Sequence, residues 1–124
     1  MTMDQAPIFI VDDEPMLLEL ASLILEPLSR PLRAFRDPEL AFKEFLNGKP
    51  RPCLLITDYQ MHLMNGMDLI RLCRSADPSV KILLVSGTVG EEIYANSAVK
   101  PDRYLAKPYS PAQLINLVEQ MIGK

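Results

Sequence analysis

The chain has 124 residues, about the length of one domain, and we expect residues 1–124 to form a single domain. Its formal net charge of −3 excludes the basic stripe of a general nucleic-acid binder, so no direct nucleic-acid contact is expected. The N-terminal segment has an acid at Asp4 and only a short apolar run, so we expect neither a signal peptide nor a membrane span. Cys53 and Cys73 lack the spacing of a metal site, and we interpret them as buried free thiols of a cytoplasmic protein.

Five short apolar runs predict β-strands. Taken in chain order, the first, third and fourth runs lack the alternation of apolar and polar residues that marks a half-exposed strand. Continuous apolar runs are typical of strands that are buried on both faces, as in a parallel sheet. The five runs are Ile8–Val11, Leu32–Arg36, Cys53–Thr57, Lys81–Ser86 and Arg103–Ala106.

Helical patterns lie between the predicted strands, and proline marks where several of them begin or end. Pro15 is expected to start the first helix and Pro27 to end it. The segment Glu91–Pro101 is interpreted as a helix of low propensity, because it carries asparagine, serine and two leading acids. The other helices are predicted from Asp37-Pro38 to Asn47-Gly48, over Met67–Ala76, and from Ser110-Pro111 onward. The apolar stripe of the first helix is predicted at Met16, Leu17, Leu20, Leu23 and Ile24.

The alternation of strands and helices predicts an α/β fold, a doubly wound five-stranded parallel sheet with helices on both faces. In such sheets a ligand crevice lies beyond the carboxyl ends of the strands. Asp12 and Asp13 follow the first strand and Asp58 follows the third, so the three acids are expected to emerge side by side. Ser86 and Lys107 should reach the same edge from the fourth and last strands.

Three neighbouring carboxylates repel one another unless positive charge lies among them. One lysine and one hard divalent cation such as magnesium (Mg2+) would bring the site to zero formal charge, and the cation would keep coordination positions open for phosphate oxygens. Carboxylates are also nucleophiles toward phosphorus. The residues therefore predict a Mg2+-dependent phosphoryl acceptor.

Simpler interpretations exist for each residue taken alone. Asp12 and Asp13 could cap the following helix, Asp58 could be a turn acid, and Lys107 could be a solvated surface lysine. Other functions fit less well: a flavin-binding protein of flavodoxin type would need a Ser/Thr/Gly-rich phosphate loop after the first strand, where this chain has acids. An aspartate-nucleophile phosphatase of dehalogenase type usually has a second acid where this chain has Gln60.

Four segments together resemble the receiver domain of two-component response regulators: "IFIVDDEP", "ITDYQMHLMNGMDL", "ILLVSG" and "YLAKPYS". The resemblance implies the flavodoxin-like strand order 2-1-3-4-5 and a cis Lys107–Pro108 bond. It also implies that Asp58 accepts a phosphoryl group from a partner histidine kinase or phosphotransfer protein. The implied Mg2+ ligands are Asp12, Asp13, Asp58 and the backbone carbonyl of Gln60, the phosphate-pairing lysine is Lys107, and the switch residues are Ser86 and Tyr104.

The resemblance further implies a switch that only assists its own phosphotransfer and dephosphorylation, and that signals through a downstream protein, an output domain or a second copy. Gln60 and Thr88 are expected to flank the path of water to the phosphorylated aspartate. A degenerate receiver that serves as a phosphorylation-independent interaction module is the alternative. The family usually has proline where this chain has His62, and we expect this departure to loosen the loop without affecting the chemistry.

Overall fold

The computed structural model describes residues 6–87 and 90–123. A five-stranded parallel sheet forms its centre, with the strands in the order β2-β1-β3-β4-β5. This confirms the predicted fold class and strand order. The strands are β1 (Ile8–Val11), β2 (Leu32–Phe35), β3 (Leu54–Asp58), β4 (Lys81–Ser86) and β5 (Arg103–Ala106).

Within the described residues, four α-helices cover the two faces of the sheet: α1 (Pro15–Leu25), α2 (Pro38–Asn47), α3 (Gly66–Ala76) and α4 (Pro111–Ile122). Side chains of a strand point alternately to opposite faces, so each strand contributes to two cores. Ile10 and Ile56 pack with α1 and α4, whereas Phe9 and Leu55 pack with α2 and α3. The three central strands are buried on both faces, as their unbroken apolar runs predicted.

The outer surface of α1 differs from the prediction. The helix buries Leu18, Ala21 and Leu25 against the sheet. Apolar residues occur almost all around this helix, so their periodicity did not select one face. Four residues of the predicted stripe are instead exposed, and we call them the α1 apolar face: Met16, Leu17, Leu20 and Leu23.

The helix predicted over Glu91–Pro101 is absent from the described residues, and this prediction was wrong. The segment has one short 3-10 turn at Glu91–Ile93, followed by turns and bends. Its low helix propensity is not offset by a continuous apolar stripe, since Ile93, Tyr94 and Val99 pack only partly against the core. The chain therefore crosses from β4 to β5 without the α-helix that the other crossovers have.

Asp102 fixes the end of this crossover just before β5. Its backbone N–H donates to the carbonyl of Ile82 at 2.9 Å, and its Oδ2 accepts from the N–H of Ile82 at 2.8 Å. Arg74 of α3 donates to the same Oδ2 at 2.9 Å and contacts the carbonyl of Lys100 at 3.4 Å. The crossover is thus anchored to both the sheet and α3 at its C-terminal end.

Three smaller features complete the fold. The Lys107–Pro108 peptide bond is cis, as the resemblance implied, and so is Lys49–Pro50. Cys53 and Cys73 are free, and burial raises the pKa of Cys73 to about 12. Among the described helices, none combines the length and apolar character needed to cross a membrane.

Candidate functional site

The carboxyl edge of the sheet brings the predicted site residues together. Strand register pairs Val11 with Thr57, Asp58 with Val85, and Ser86 with Ala106. Residues that follow these pairs emerge next to one another, because neighbouring parallel strands end at one edge. Asp58 is the last residue of β3 rather than the first residue after it, so the strand backbone holds it directly.

Three carboxylates converge at this edge. Asp12, Asp13 and Asp58 each offer an oxygen, and these oxygens lie within 4.8 Å of one another. Asp12 and Asp58 are buried, with 8% and 9% exposure, while Asp13 is partly exposed. Asp12 is fixed by its N–H, which donates to Phe35 of β2, and by its Oδ1, which accepts from the N–H of Glu14. Clustered carboxylate oxygens are the donor set that Mg2+ prefers, so the residues fit this ion.

Lys107 supplies the positive charge of the site. Its Nζ lies 3.0 Å from Oδ1 of Asp58 and 3.5 Å from Oδ2 of Asp12, and its backbone N–H donates to the carbonyl of Ser86. Burial raises the pKa of Asp58, and the hydrogen bond and charge of Lys107 offset this only in part. Burial alone would lower the pKa of Lys107, but its contacts with Asp58 and Asp12 outweigh that effect and raise it. The pair is therefore an ammonium held against carboxylates in a poorly solvated pocket.

Gly66 lies directly beneath the acceptor, and the sequence analysis did not identify it. A Cβ atom at this position would clash with the carbonyl oxygen of Asp58. The N–H of Gly66 donates to the carbonyl of Tyr59 at 2.7 Å, and Asn65 caps α3 through a capping box with Asp68. A side chain at residue 66 would displace the backbone that presents Asp58. In the sequence, the Asn65-Gly66 pair was the feature that could have indicated this close approach.

His62 contacts the acid site, which the sequence did not predict, and the expectation that it leaves the chemistry unaffected stays a prediction. Its backbone N–H donates to Oδ2 of Asp13 at 2.8 Å, and its ring Nδ1 lies 2.7 Å from the same oxygen. The loop that carries His62 is therefore tied to the acids rather than loosened. Its signal in the sequence was the presence of an N–H where proline would have none.

The predicted switch residues lie on β4 and β5. Ser86 is buried at 2% exposure beside Asp58, and the hydroxyl of the half-buried Tyr104 lies 3.4 Å from the carbonyl of Ser86. The rings of Tyr94 and Tyr104 are 6.3 Å apart. Gln60 is exposed on the loop after β3, and Thr88 lies outside the described residues.

A groove lies between Lys107 and α1. It has a volume of about 490 Å³ and includes Lys107, which also contacts Asp58. The α1 apolar face continues from this groove through Leu17 and Leu20, which line it together with Gly87, Pro108 and Tyr109. The acid site therefore opens beside an exposed apolar surface.

The family model of the response regulator receiver domain matches residues 8–119. The chain belongs to this family. The uncharacterized transcriptional regulatory protein YesN of Bacillus subtilis is 33% identical to this receiver in an alignment 123 residues long, which covers 94% of this chain and 32% of YesN. The nitrogen assimilation regulatory protein NtrX of Azorhizobium caulinodans is 29% identical in an alignment 117 residues long, which covers 93% of this chain and 26% of NtrX.

Solved receiver structures share the fold of this receiver. A receiver protein from Sinorhizobium medicae is 26% identical, has a TM-score of 0.83, and is matched over 98% of each chain. A CheY-like receiver from Methanospirillum hungatei is 22% identical, with a TM-score of 0.86 over 97% of this chain and 95% of that one. The receiver spans about a third or less of YesN and NtrX, so the similarity concerns the receiver part of those regulators.

Proposed function

We propose that this receiver is a phosphorylation-controlled signalling switch and that Asp58 is its phosphoacceptor. One observation carries the proposal: Asp58 is buried and paired with Lys107 at 3.0 Å, with two more carboxylates sharing its pocket. A lone capping or turn acid has no need of a half-buried lysine. Such a pairing is typical of a site that admits further charge.

We assign Mg2+ to Asp12, Asp13, Asp58 and the backbone carbonyl of Gln60. Three carboxylates and one ammonium leave a formal charge of −2, which would repel an incoming phosphoryl group. A divalent cation brings this charge to zero, and when bound it would supply Lewis-acid stabilisation of phosphoryl oxygens. The acids repel one another without it, which supports the assignment.

The chemistry assigned to Asp58 is a phosphoryl transfer. A carboxylate oxygen of Asp58 forms a bond to phosphorus while the P–N bond of a phosphohistidine on the donor protein breaks, and the histidine nitrogen keeps the electron pair. Lys107 contacts Oδ1 of Asp58, so Oδ2 is the oxygen that this ion pair does not engage. Lys107 is then placed to pair with a phosphoryl oxygen and to offset its charge.

We assign the response to Ser86 and Tyr104. A phosphoryl group adds up to about two negative charges and three acceptor oxygens beside Asp58. Ser86, on the strand next to Asp58, would donate its hydroxyl to one of these oxygens, and Tyr104 would fill the space that Ser86 leaves. The segment between them has few apolar anchors, so it shifts with them and alters the surface offered to a downstream protein, an output domain or a second copy.

We also propose that the phosphodonor protein approaches over the α1 apolar face. Leu20 is 50% exposed, and it lines the same groove as Lys107, which contacts the acceptor. A donor helix that buries this apolar face would bring its phosphohistidine to the mouth of the acid site. Exposed apolar area that adjoins a reactive group is typical of an interaction surface.

Intact-mass measurement tests the acceptor chemistry. The protein is incubated with acetyl phosphate, with and without Mg2+, and an adduct of one phosphoryl group is expected only with the metal. The absence of an adduct under both conditions would reject the switch and favour the alternative, an interaction module that works without phosphorylation.

Charge on α1 tests the donor surface separately. Leu20→Glu should slow phosphotransfer from a phosphohistidine protein that phosphorylates the wild type, yet leave labelling by acetyl phosphate unchanged. Leu46→Glu on α2, where the leucine is 43% exposed, is the matched control and should change neither reaction. Equal transfer rates for Leu20→Glu and wild type would reject this approach of the donor.

A further inference from the structure

His62 is the single histidine of the chain and contacts one oxygen of Asp13 with two different groups. The backbone N–H donates to Oδ2 at 2.8 Å, and the ring Nδ1 is 2.7 Å from the same atom. The side chain of His62 is 93% exposed, whereas that of Asp13 is 21% exposed. The contact therefore lies at the outer rim of the acid site, on the solvent side of Asp13.

The contact joins two loops that the sheet does not hold together. Asp13 lies between β1 and α1, His62 lies between β3 and α3, and the two are 49 residues apart. The register of β1 with β3 ends at Val11 and Thr57, before either loop reaches these residues. Beyond that point, the contact of His62 with Asp13 connects the loops directly.

Two donors on a single oxygen restrict how the Asp13 carboxylate can rotate. Both contacts use Oδ2, which leaves Oδ1 as the oxygen that they do not engage. Carboxylates that bind metals are commonly oriented by hydrogen bonds from groups outside the coordination shell, and loss of such groups typically costs about 10- to 100-fold in metal affinity. A carboxylate that is already oriented loses less conformational freedom when a cation binds.

We propose that His62 is a positioning residue for the metal site: it holds Asp13 through two hydrogen bonds and thereby raises the affinity for a hard divalent cation. This inference rests on the proposed function, because it takes Asp13 as a metal ligand. Proline at this position offers neither a backbone N–H nor a ring donor. The chain therefore has two donors for Asp13 at a position where proline would supply none.

Four variants separate the two hydrogen bonds. His62→Ala removes the ring but keeps the N–H, and His62→Pro removes both. His62→Asn places an amide nitrogen at the same distance along the side chain as Nδ1, so it should restore the second donor. Leu63→Ala is the control, since it removes the neighbouring side chain, which is 77% exposed, without touching the contacts of His62.

Calorimetric titration with Mg2+, carried out for all variants in the same buffer and at the same pH, measures the effect. The wild type and His62→Asn should bind Mg2+ most tightly, His62→Ala less tightly and His62→Pro least. The affinity of His62→Pro should be about 10- to 100-fold lower than that of the wild type. Leu63→Ala should bind like wild type. Unfolding midpoints without metal show whether each variant is folded, and His62→Ala tests the proposal even if His62→Pro does not fold.

Ni2+ distinguishes positioning from direct coordination, because imidazole is a strong ligand for this metal. If His62 only positions Asp13, His62→Ala should lower the affinities for Ni2+ and for Mg2+ by the same factor. A far larger loss for Ni2+, unchanged Mg2+ affinity in His62→Ala and His62→Pro, or tighter Mg2+ binding in them would each overturn the proposal. Failure of the wild type itself to bind Mg2+ would instead reject the proposed metal site.

Discussion

The two sides of the acid site are held by different amounts of structure. One side, the acidic rim, consists of residues 12–14 and 58–66. The contact of His62 with Asp13 ties its two loops together, and the hydrogen bond from Gly66 to Tyr59 closes the second of these loops on itself. The N–H of Tyr59 also donates to Val85 of the neighbouring strand at 2.9 Å.

The other side, the hydroxyl rim, consists of residues 86–107 and has fewer anchors. Its described part contains one 3-10 turn and no α-helix before β5. Arg74 and Asp102 fix its far end, whereas Ile93, Tyr94 and Val99 are only partly buried. Regions with few buried apolar contacts open at low free energy, which supports the proposal that this rim responds to a change of charge.

The difference separates two tasks. Asp58 and the groups proposed to hold the metal lie on the acidic rim, which is bonded across its loops, whereas Lys107 lies at the β5 end of the hydroxyl rim. Ser86 and Tyr104, the groups proposed to move, lie on the rim that is anchored mainly at its ends. A rigid acceptor combined with a yielding neighbour is what a charge-driven switch requires.

The largest expected effect is that of Asp58→Asn on the acidic rim. The amide cannot act as the nucleophile, so the phosphoryl adduct from acetyl phosphate should be lost entirely while the fold is kept. Intact mass and circular dichroism measure the two results. Asp37→Asn is the control. Asp37 caps α2, and asparagine also caps helices, so this variant should form the same amount of phosphoryl adduct as the wild type. A normal adduct in Asp58→Asn would place the acceptor elsewhere.

Within the acidic rim, removal of Asp12 and removal of Asp13 should lower the Mg2+ affinity by different amounts. Asp13→Ala should weaken binding more than about tenfold, the lower range for loss of groups that merely support a metal. Asp12→Ala should weaken it less if Asp12, which already contacts Lys107, acts through a water molecule. Titration calorimetry checks both variants, and unchanged affinity in both would mean that the acids only cap α1.

Hydrogen exchange sharpens the contrast between the rims. Beryllofluoride, a mimic of the phosphoryl group, should change protection mainly within Ser86–Lys107. Ser86→Ala should reduce these changes without preventing phosphorylation, since the hydroxyl couples the site to the segment. Changes concentrated within Asp37–Asn47, in and around α2, would contradict the assignment of the hydroxyl rim as the responsive side.

The smallest effect concerns stability and pH in the metal-free protein. Burial raises the pKa of Asp58, so the folded protein keeps this proton to higher pH than the unfolded chain does. The free energy of unfolding should therefore fall as pH rises from the usual range of aspartate through the raised pKa. Asp58→Asn should lack this decrease. Urea unfolding midpoints between about pH 4 and pH 7 in a chelator test it, and parallel curves for the two proteins would contradict it.

The sequence predicted most of the fold because the strands that form the centre of the sheet are buried on both faces. It also placed Asp12, Asp58, Ser86 and Lys107 at one edge, since strand ends alone determine that position. It failed on the exposed side of α1, where apolar residues surround the helix and burial depends on tertiary packing. It did not predict the contact of His62 with Asp13, because that contact depends on how two loops approach each other, and no local pattern reports this distance.

Asp102 closes the crossover between β4 and β5 into a loop, in the sense that polymer theory gives to this word. Its bonds to Ile82 and Arg74 make the chain between Ser86 and Asp102 a closed loop with both ends fixed on the sheet. The entropy of closing a flexible loop changes slowly with its contour length, by only about 0.6 kcal/mol for a doubling. Insertions and deletions in this loop should therefore cost little stability. The segment that we propose to respond to phosphorylation can therefore vary in length and sequence while the geometry of the acids remains the same.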